Sequence, residues 1–157
     1  MSSAAAVAVP DAKEMRALGA ELARRLAAGD VVVLTGPLGA GKTTFTQGLA
    51  EGLQVRGPIT SPTFVLARVH PSLVGGPALV HADAYRLGSA AELDDLDLDS
   101  FVADSVTVVE WGAGKAEHLA DSGDRPGQFW EVLIERDAES EVRMVRIESV
   151  KSGPDRT

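Results

Sequence analysis

Residues 31–44 read VVVLTGPLGAGKTT, and their reading decides the fold. Val31 to Thr35 is a short run of β-branched and aliphatic residues, the composition of a buried strand. Gly36 to Thr43 follows at once and matches the phosphate-binding loop, two glycines five apart and then Lys and Thr. Phe45, Leu49 and Leu53, spaced four apart, then mark one face of an amphipathic helix. A polyphosphate wrapped by backbone N–H groups needs bare backbone at the contact points, which Gly36, Gly39 and Gly41 supply. The amides of Leu38, Ala40 and the first helical turn complete the cradle, helped by the helix dipole. Lys42 is placed for the β- and γ-phosphates, Thr43 for Mg²⁺ and Thr44 for an α-phosphate oxygen.

The bulk numbers fit that reading. The chain has 157 residues, 45% of them hydrophobic, which suits one α/β domain over residues 1–150, followed by a polar tail, 151–157, expected to be disordered. Without cysteine there is neither disulfide nor thiolate metal site, compatible with a reducing, cytoplasmic setting. No apolar run is long enough to span a bilayer, and Met1–Val9 lacks the basic start and apolar core of a signal peptide. The formal charge of −8 argues against direct tRNA or DNA binding, which wants a basic face.

Working outward, Asp11 is a helix cap with Glu14 in the capping-box position. Met15, Leu18, Leu22 and Leu26 form the apolar stripe of a first helix expected to end at Gly29-Asp30. After a loop to Pro62, Thr63–Val69 reads as a strand, His70–Pro77 as a turn and Ala78–Ala82 as a strand ending at Asp83. A short helix is expected over 89–96, a strand SVTVVE ending at Glu110, and a further short helix over 115–120. Phe129–Glu135 and Val142–Glu148 read as an antiparallel hairpin. Early alternation and late clustering of strands predict a three-layer α/β domain of the phosphate-loop NTPase kind. Its central sheet is mostly parallel, with some antiparallel strands and a C-terminal hairpin.

A phosphate loop needs a carboxylate at a neighbouring strand end to hold Mg²⁺. Asp83 and Glu110 both close apolar strands on the crevice side of an open sheet. Glu110 follows the more apolar strand and is assigned to the metal side. Asp83 is assigned to a metal-bound or attacking water, and which of the two is the direct ligand stays open. Ser61 and Thr63 are candidates for a segment that senses the γ-phosphate, although Ser61-Pro62-Thr63 reads equally as a proline-stiffened strand start. His81 reads as structural, Trp111 as a core or contact residue, and the acidic run over 94–99 as a solvated face lacking the glycine of a Ca²⁺ loop.

GPLGAGKTTFTQGLAEGL, SPTF, HADAYRL and VEWG, in this order, closely resemble the bacterial TsaE (YjeE) family over about residues 10–148. The phosphate loop is widely shared; the HxDxYRL and VEW blocks single out this family. The resemblance implies an ATPase, slow alone, with ATP and Mg²⁺ as cofactors. In it Lys42 binds phosphate, Thr43 and Glu110 hold Mg²⁺, Asp83 is needed for activity, and Ser61 and Thr63 lie in a switch-like segment. It further implies work with the TsaD and TsaB proteins in forming threonylcarbamoyladenosine beside the tRNA anticodon, the tRNA being held through those partners. The rival readings are a small-metabolite kinase, which needs an acceptor pocket and an arginine-bearing lid, and a non-catalytic ATP-binding subunit. A small GTPase is disfavoured because the guanine-reading Asn/Thr-Lys-x-Asp motif is absent.

Overall fold

Val31–Thr35 sits in mid-sheet with a parallel strand on either side. The computed structural model describes residues 6–36, 41–57, 67–83, 105–110, 128–136 and 142–150. Among these the elements are β1 (Val7–Val9), α1 (Ala12–Ala23), β2 (Val31–Thr35), α2 (Lys42–Leu53), β3 (Ala67–His70), β4 (Ala78–Asp83), β5 (Ser105–Glu110), β6 (Phe129–Arg136) and β7 (Arg143–Val150). They form one seven-stranded sheet in the order β1-β7-β6-β2-β5-β4-β3. The inner four strands are parallel, while β3, β7 and β1 pair antiparallel at the flanks. This is the mixed α/β sheet expected from the sequence, including the β6–β7 hairpin.

Both faces of the inner strands are shielded: every residue of β5 is buried, as are Val31 to Leu34. That explains why these strands read as continuous apolar runs rather than alternating ones. Val32, Leu34, Leu79, Val106, Val108, Val132 and Ile134 pack with Met15, Leu22, Phe45 and Leu49 of the two helices in one core. Asp11 Oδ1 accepts from the Glu14 amide at 2.8 Å, so the predicted cap is present. Leu26 still packs on the core, but α1 ends at Ala23 rather than at Gly29. The amides of Arg24, Arg25 and Leu26 bond to carbonyls three residues back, and this tighter winding ends the α-helix early. Asp30 has a different task from stopping a helix. Its carboxylate accepts from the amides of Ala27 and Gln128 at 2.9 and 2.8 Å, pinning the entry to β2 against the entry to β6.

Three other expectations shift. β1 is a strand that the residue pattern does not announce; it pairs with β7, which runs on to Val150. His70 belongs to β3, opposite Leu79, rather than to the following turn. The helices expected over 89–96 and 115–120, the start of the Thr63–Val69 strand and the 151–157 tail lie outside the described residues. No helix among the described residues is long and apolar enough to cross a membrane.

The two helices meet backbone to backbone. A methyl group on Gly48 would stand 2.0 Å from the Arg16 carbonyl oxygen, and one on Gly19 2.2 Å from that of Phe45. Helix propensity alone favours Ala over Gly by about 1 kcal/mol. Overpacking of this severity outweighs it, costing about 1–3 kcal/mol. Gly48→Ala is therefore expected to lower the melting temperature, by about 2–4 °C for each kcal/mol lost; thermal unfolding followed by circular dichroism checks the sign.

Burial pushes His70 below the ordinary imidazole value of 6.5, aided by the charges of His81 and Arg68 and opposed by its Nδ1–H bond to the Arg56 carbonyl. The unfolded chain therefore takes up a proton that the folded chain resists. Stability from this group is complete above about pH 6.5 and is lost as pH falls below it toward the lowered folded value. His70→Asn, whose amide keeps the Arg56 bond without titrating, is expected to lose less stability than the parent between pH 7.5 and 5.5 in urea unfolding.

Candidate functional site

Because β2, β4 and β5 are parallel, their carboxyl ends share one edge of the sheet. β2 ends there and continues into Gly36; residues 37–40 lie outside the described residues, and the chain is next described at Gly41. Gly41 caps α2 at φ 111°, a left-handed value open to glycine and strained for any L side chain. No side-chain cap hydrogen bond closes this helix end. Met15 lies directly beneath, its Cε 3.2 Å from where a Gly41 Cβ would stand. The glycine thus meets two demands, a positive φ and room for the α1 side chain.

Lys42 is the first residue of α2 and is buried, at 7% exposure. Its Nζ donates to the Gly36 carbonyl at 2.7 Å, tying the start of α2 to the end of β2. Burying an ammonium costs free energy unless it is paired. Here the carbonyl at the strand end holds the lysine at the place where loop and helix converge. Thr43 and Thr44 follow in the first turn, both half-buried. Thr46 directs its hydroxyl to the Lys42 carbonyl at 2.9 Å, which keeps it within the helix.

The acidic side is set by strand register. Glu110 is the Cα partner of Leu34 on β2 and of Asp83 on β4, so both strand-end acids are adjacent and one residue short of the β2 terminus. Glu110 is buried, and its Oε2 lies 2.6 Å from His81 Nε2. The Asp83 backbone is placed by this ladder; its side chain lies outside the described residues. Leu38, Gly39, Ala40, Ser61, Thr63, Tyr85, Arg86, Trp111 and the acidic run over 94–99 lie outside them too. His81, read as structural from sequence, is the unexpected member of the cluster. Its sequence signals are its place at the head of the HxDxYRL block and its polarity in an otherwise apolar strand, two positions before Asp83.

These residues suit a magnesium nucleotide better than a free metal ion. Among the described residues no group of three or more His, Asp or Glu could hold a metal by itself. Mg²⁺ in phosphate-transfer sites takes one or two protein oxygens and draws the rest from phosphates and water. The Thr43 hydroxyl and the Glu110 carboxylate, flanking an uncapped helix start and a buried lysine, are a donor set of that kind. An open groove of about 530 Å³ lined by Arg16, Gln47, Glu51, Gln54, Val55 and Leu73 lies at the other end of α2. Its lining residue nearest Lys42 along the helix is Gln47, about 7.5 Å on.

Comparison with known proteins agrees with the resemblance drawn from the motifs. The family described as threonylcarbamoyl adenosine biosynthesis protein TsaE matches residues 9–144. The tRNA threonylcarbamoyladenosine biosynthesis protein TsaE of Streptomyces coelicolor is 66% identical over 108 residues, 68% of this chain and 73% of that protein. Its namesake from Mycobacterium tuberculosis strain H37Rv is 50% identical over 143 residues, 87% of this chain and 82% of that one. The crystal structure of YdiB from Bacillus subtilis superposes with a TM-score of 0.66 at 31% identity, covering 96% of this chain and 88% of the other.

Gly41→Ala is expected to destabilise the fold, since a left-handed backbone costs an L residue about 1–2 kcal/mol before Met15 is displaced. Differential scanning fluorimetry without ligand should register a fall of about 2–4 °C per kcal/mol.

Proposed function

The chain belongs to the TsaE family of threonylcarbamoyl adenosine biosynthesis proteins, and on that premise we propose that it is the Mg²⁺-dependent, ATP-hydrolysing member of the machinery that modifies tRNA. The observation that carries the proposal is the convergence of Lys42 and Gly36 with Glu110 at one sheet edge, beside an uncapped helix start.

The amides opening α2 and the Lys42 ammonium would bind and orient the polyphosphate. Lys42 already stands at the loop mouth, so little side-chain ordering is needed when the anion arrives. Thr43 and Glu110 would hold Mg²⁺, and Asp83, next to Glu110 in the ladder, would orient water. When bound, Mg²⁺ supplies charge neutralisation at the β- and γ-phosphate oxygens. Leu38, Gly39 and Ala40 would contribute loop amides, with Thr44 on an α-phosphate oxygen and Ser61 and Thr63 near the terminal phosphate.

The proposed partners are the TsaB and TsaD proteins. A net charge of −8 supports an arrangement in which partners, not this chain, carry the tRNA. Slow hydrolysis in isolation and acceleration in the complex are expected in a cytoplasmic setting.

Isothermal titration calorimetry tests the site. Lys42→Ala is expected to weaken MgATP binding at least about tenfold, given the ~1.5–3 kcal/mol of a hydrogen bond to a charged group. Glu110→Ala is expected to impair Mg²⁺-dependent hydrolysis while leaving metal-free ADP binding near its parent level. Normal MgATP binding and turnover in both variants would contradict the assignment. Co-purification with TsaB and TsaD in ATP, ADP or no nucleotide tests the partners, and indifference to both proteins and nucleotide would remove that part.

A further inference from the structure

His81 is fully buried in β4, between Val80 and Ala82, which are buried as completely. By strand alternation it shares a sheet face with Leu79, on the side of the helical core. An imidazole is an expensive occupant for such a position, because each ring nitrogen needs a partner once water is gone. Only half of that need is met. Nε2 finds Glu110 Oε2 at 2.6 Å, whereas Nδ1 is buried with no hydrogen-bond partner. A valine or leucine would fill the same place without leaving a polar atom unpaired, so packing alone does not account for the histidine.

Register explains how the contact forms. His81 is the Cα partner of Val108, and Asp83 is the partner of Glu110. His81 is thus the diagonal neighbour of Glu110 on the same face, one pleat below the strand end, at a separation long side chains can bridge. In the tautomer that carries its hydrogen on Nε2, the imidazole donates this bond and the carboxylate accepts it. That bond engages Oε2, restricts the Glu110 rotamers and leaves Oε1 available for a second partner.

We propose that His81 is a positioning residue for Glu110, holding its carboxylate in the orientation in which Oε1 meets the divalent ion or a water bound to it. The assignment rests on the magnesium-nucleotide function above. Partners that orient a metal-ligating carboxylate typically matter about 10–100-fold in metal affinity. Here the orienting group approaches from inside the sheet, where it cannot touch nucleotide.

The test reads metal affinity rather than turnover. Mn²⁺ replaces Mg²⁺, and its binding to the protein–ADP complex is followed by electron paramagnetic resonance. ADP affinity in EDTA is measured alongside by calorimetry. His81→Leu is expected to weaken Mn²⁺ binding about 10–100-fold and to leave metal-free ADP affinity unchanged. His81→Gln, whose terminal amide N–H stands near the position of Nε2–H, is expected to recover most of the loss. A merely structural role would move both affinities together or neither, and either pattern overturns the proposal. Nitrogen-15 NMR of the unsubstituted protein supplies a reading that needs no variant. A hydrogen on the His81 Nε2 supports the assignment, and an unprotonated Nε2 overturns it even if His81→Leu fails to fold. Parent protein that binds ADP identically with and without the divalent ion overturns the functional proposal and this one together. Normal metal dependence in the parent with an unaltered His81→Leu overturns this one alone.

Discussion

The site depends on the register of β5 between its two parallel neighbours. Leu34, Glu110 and Asp83 come from three segments far apart in sequence, and the ladders of β5 with β2 and β4 set them side by side. A slip of one residue would turn Glu110 to the opposite face of the sheet, away from His81, because side chains alternate with period two. Val106 and Val108 oppose that slip. Both lie in the helical core, and the slip would exchange them for Ser105, Thr107 and Val109.

The parts that can be read locally are those whose physics is local. Gly41 and Lys42 are recognisable because a left-handed cap and a helix-opening lysine need particular residue types at fixed spacing. The Asp11 cap and the Phe45-Leu49-Leu53 stripe belong to the same class. β1 does not. Its three residues are mostly exposed and gain strand geometry by pairing with β7, more than 130 residues later. The end of α1 is misleading for a related reason. Leu26 continues the apolar spacing by packing on the core from a tightened turn, so burial persists after the helix has stopped.

His81 marks the limit of motif reading at the site. The strand-end acids announce themselves by position, but a histidine inside a strand acquires a task only from what the next strand places beside it. Its partner lies 29 residues away in sequence. The orphaned Nδ1 and the short contact to Glu110 exist only once both strands are paired, so composition and spacing carry no trace of them.

The glycine seam between α1 and α2 reaches beyond packing. With Gly19 and Gly48 seating peptide against peptide, neither helix can slip along the other without driving a carbonyl oxygen into backbone. Interiors packed this closely hand on strain rather than absorb it. The two helices therefore pack as one unit, tying the turn that holds Lys42 to the one that opens at Asp11.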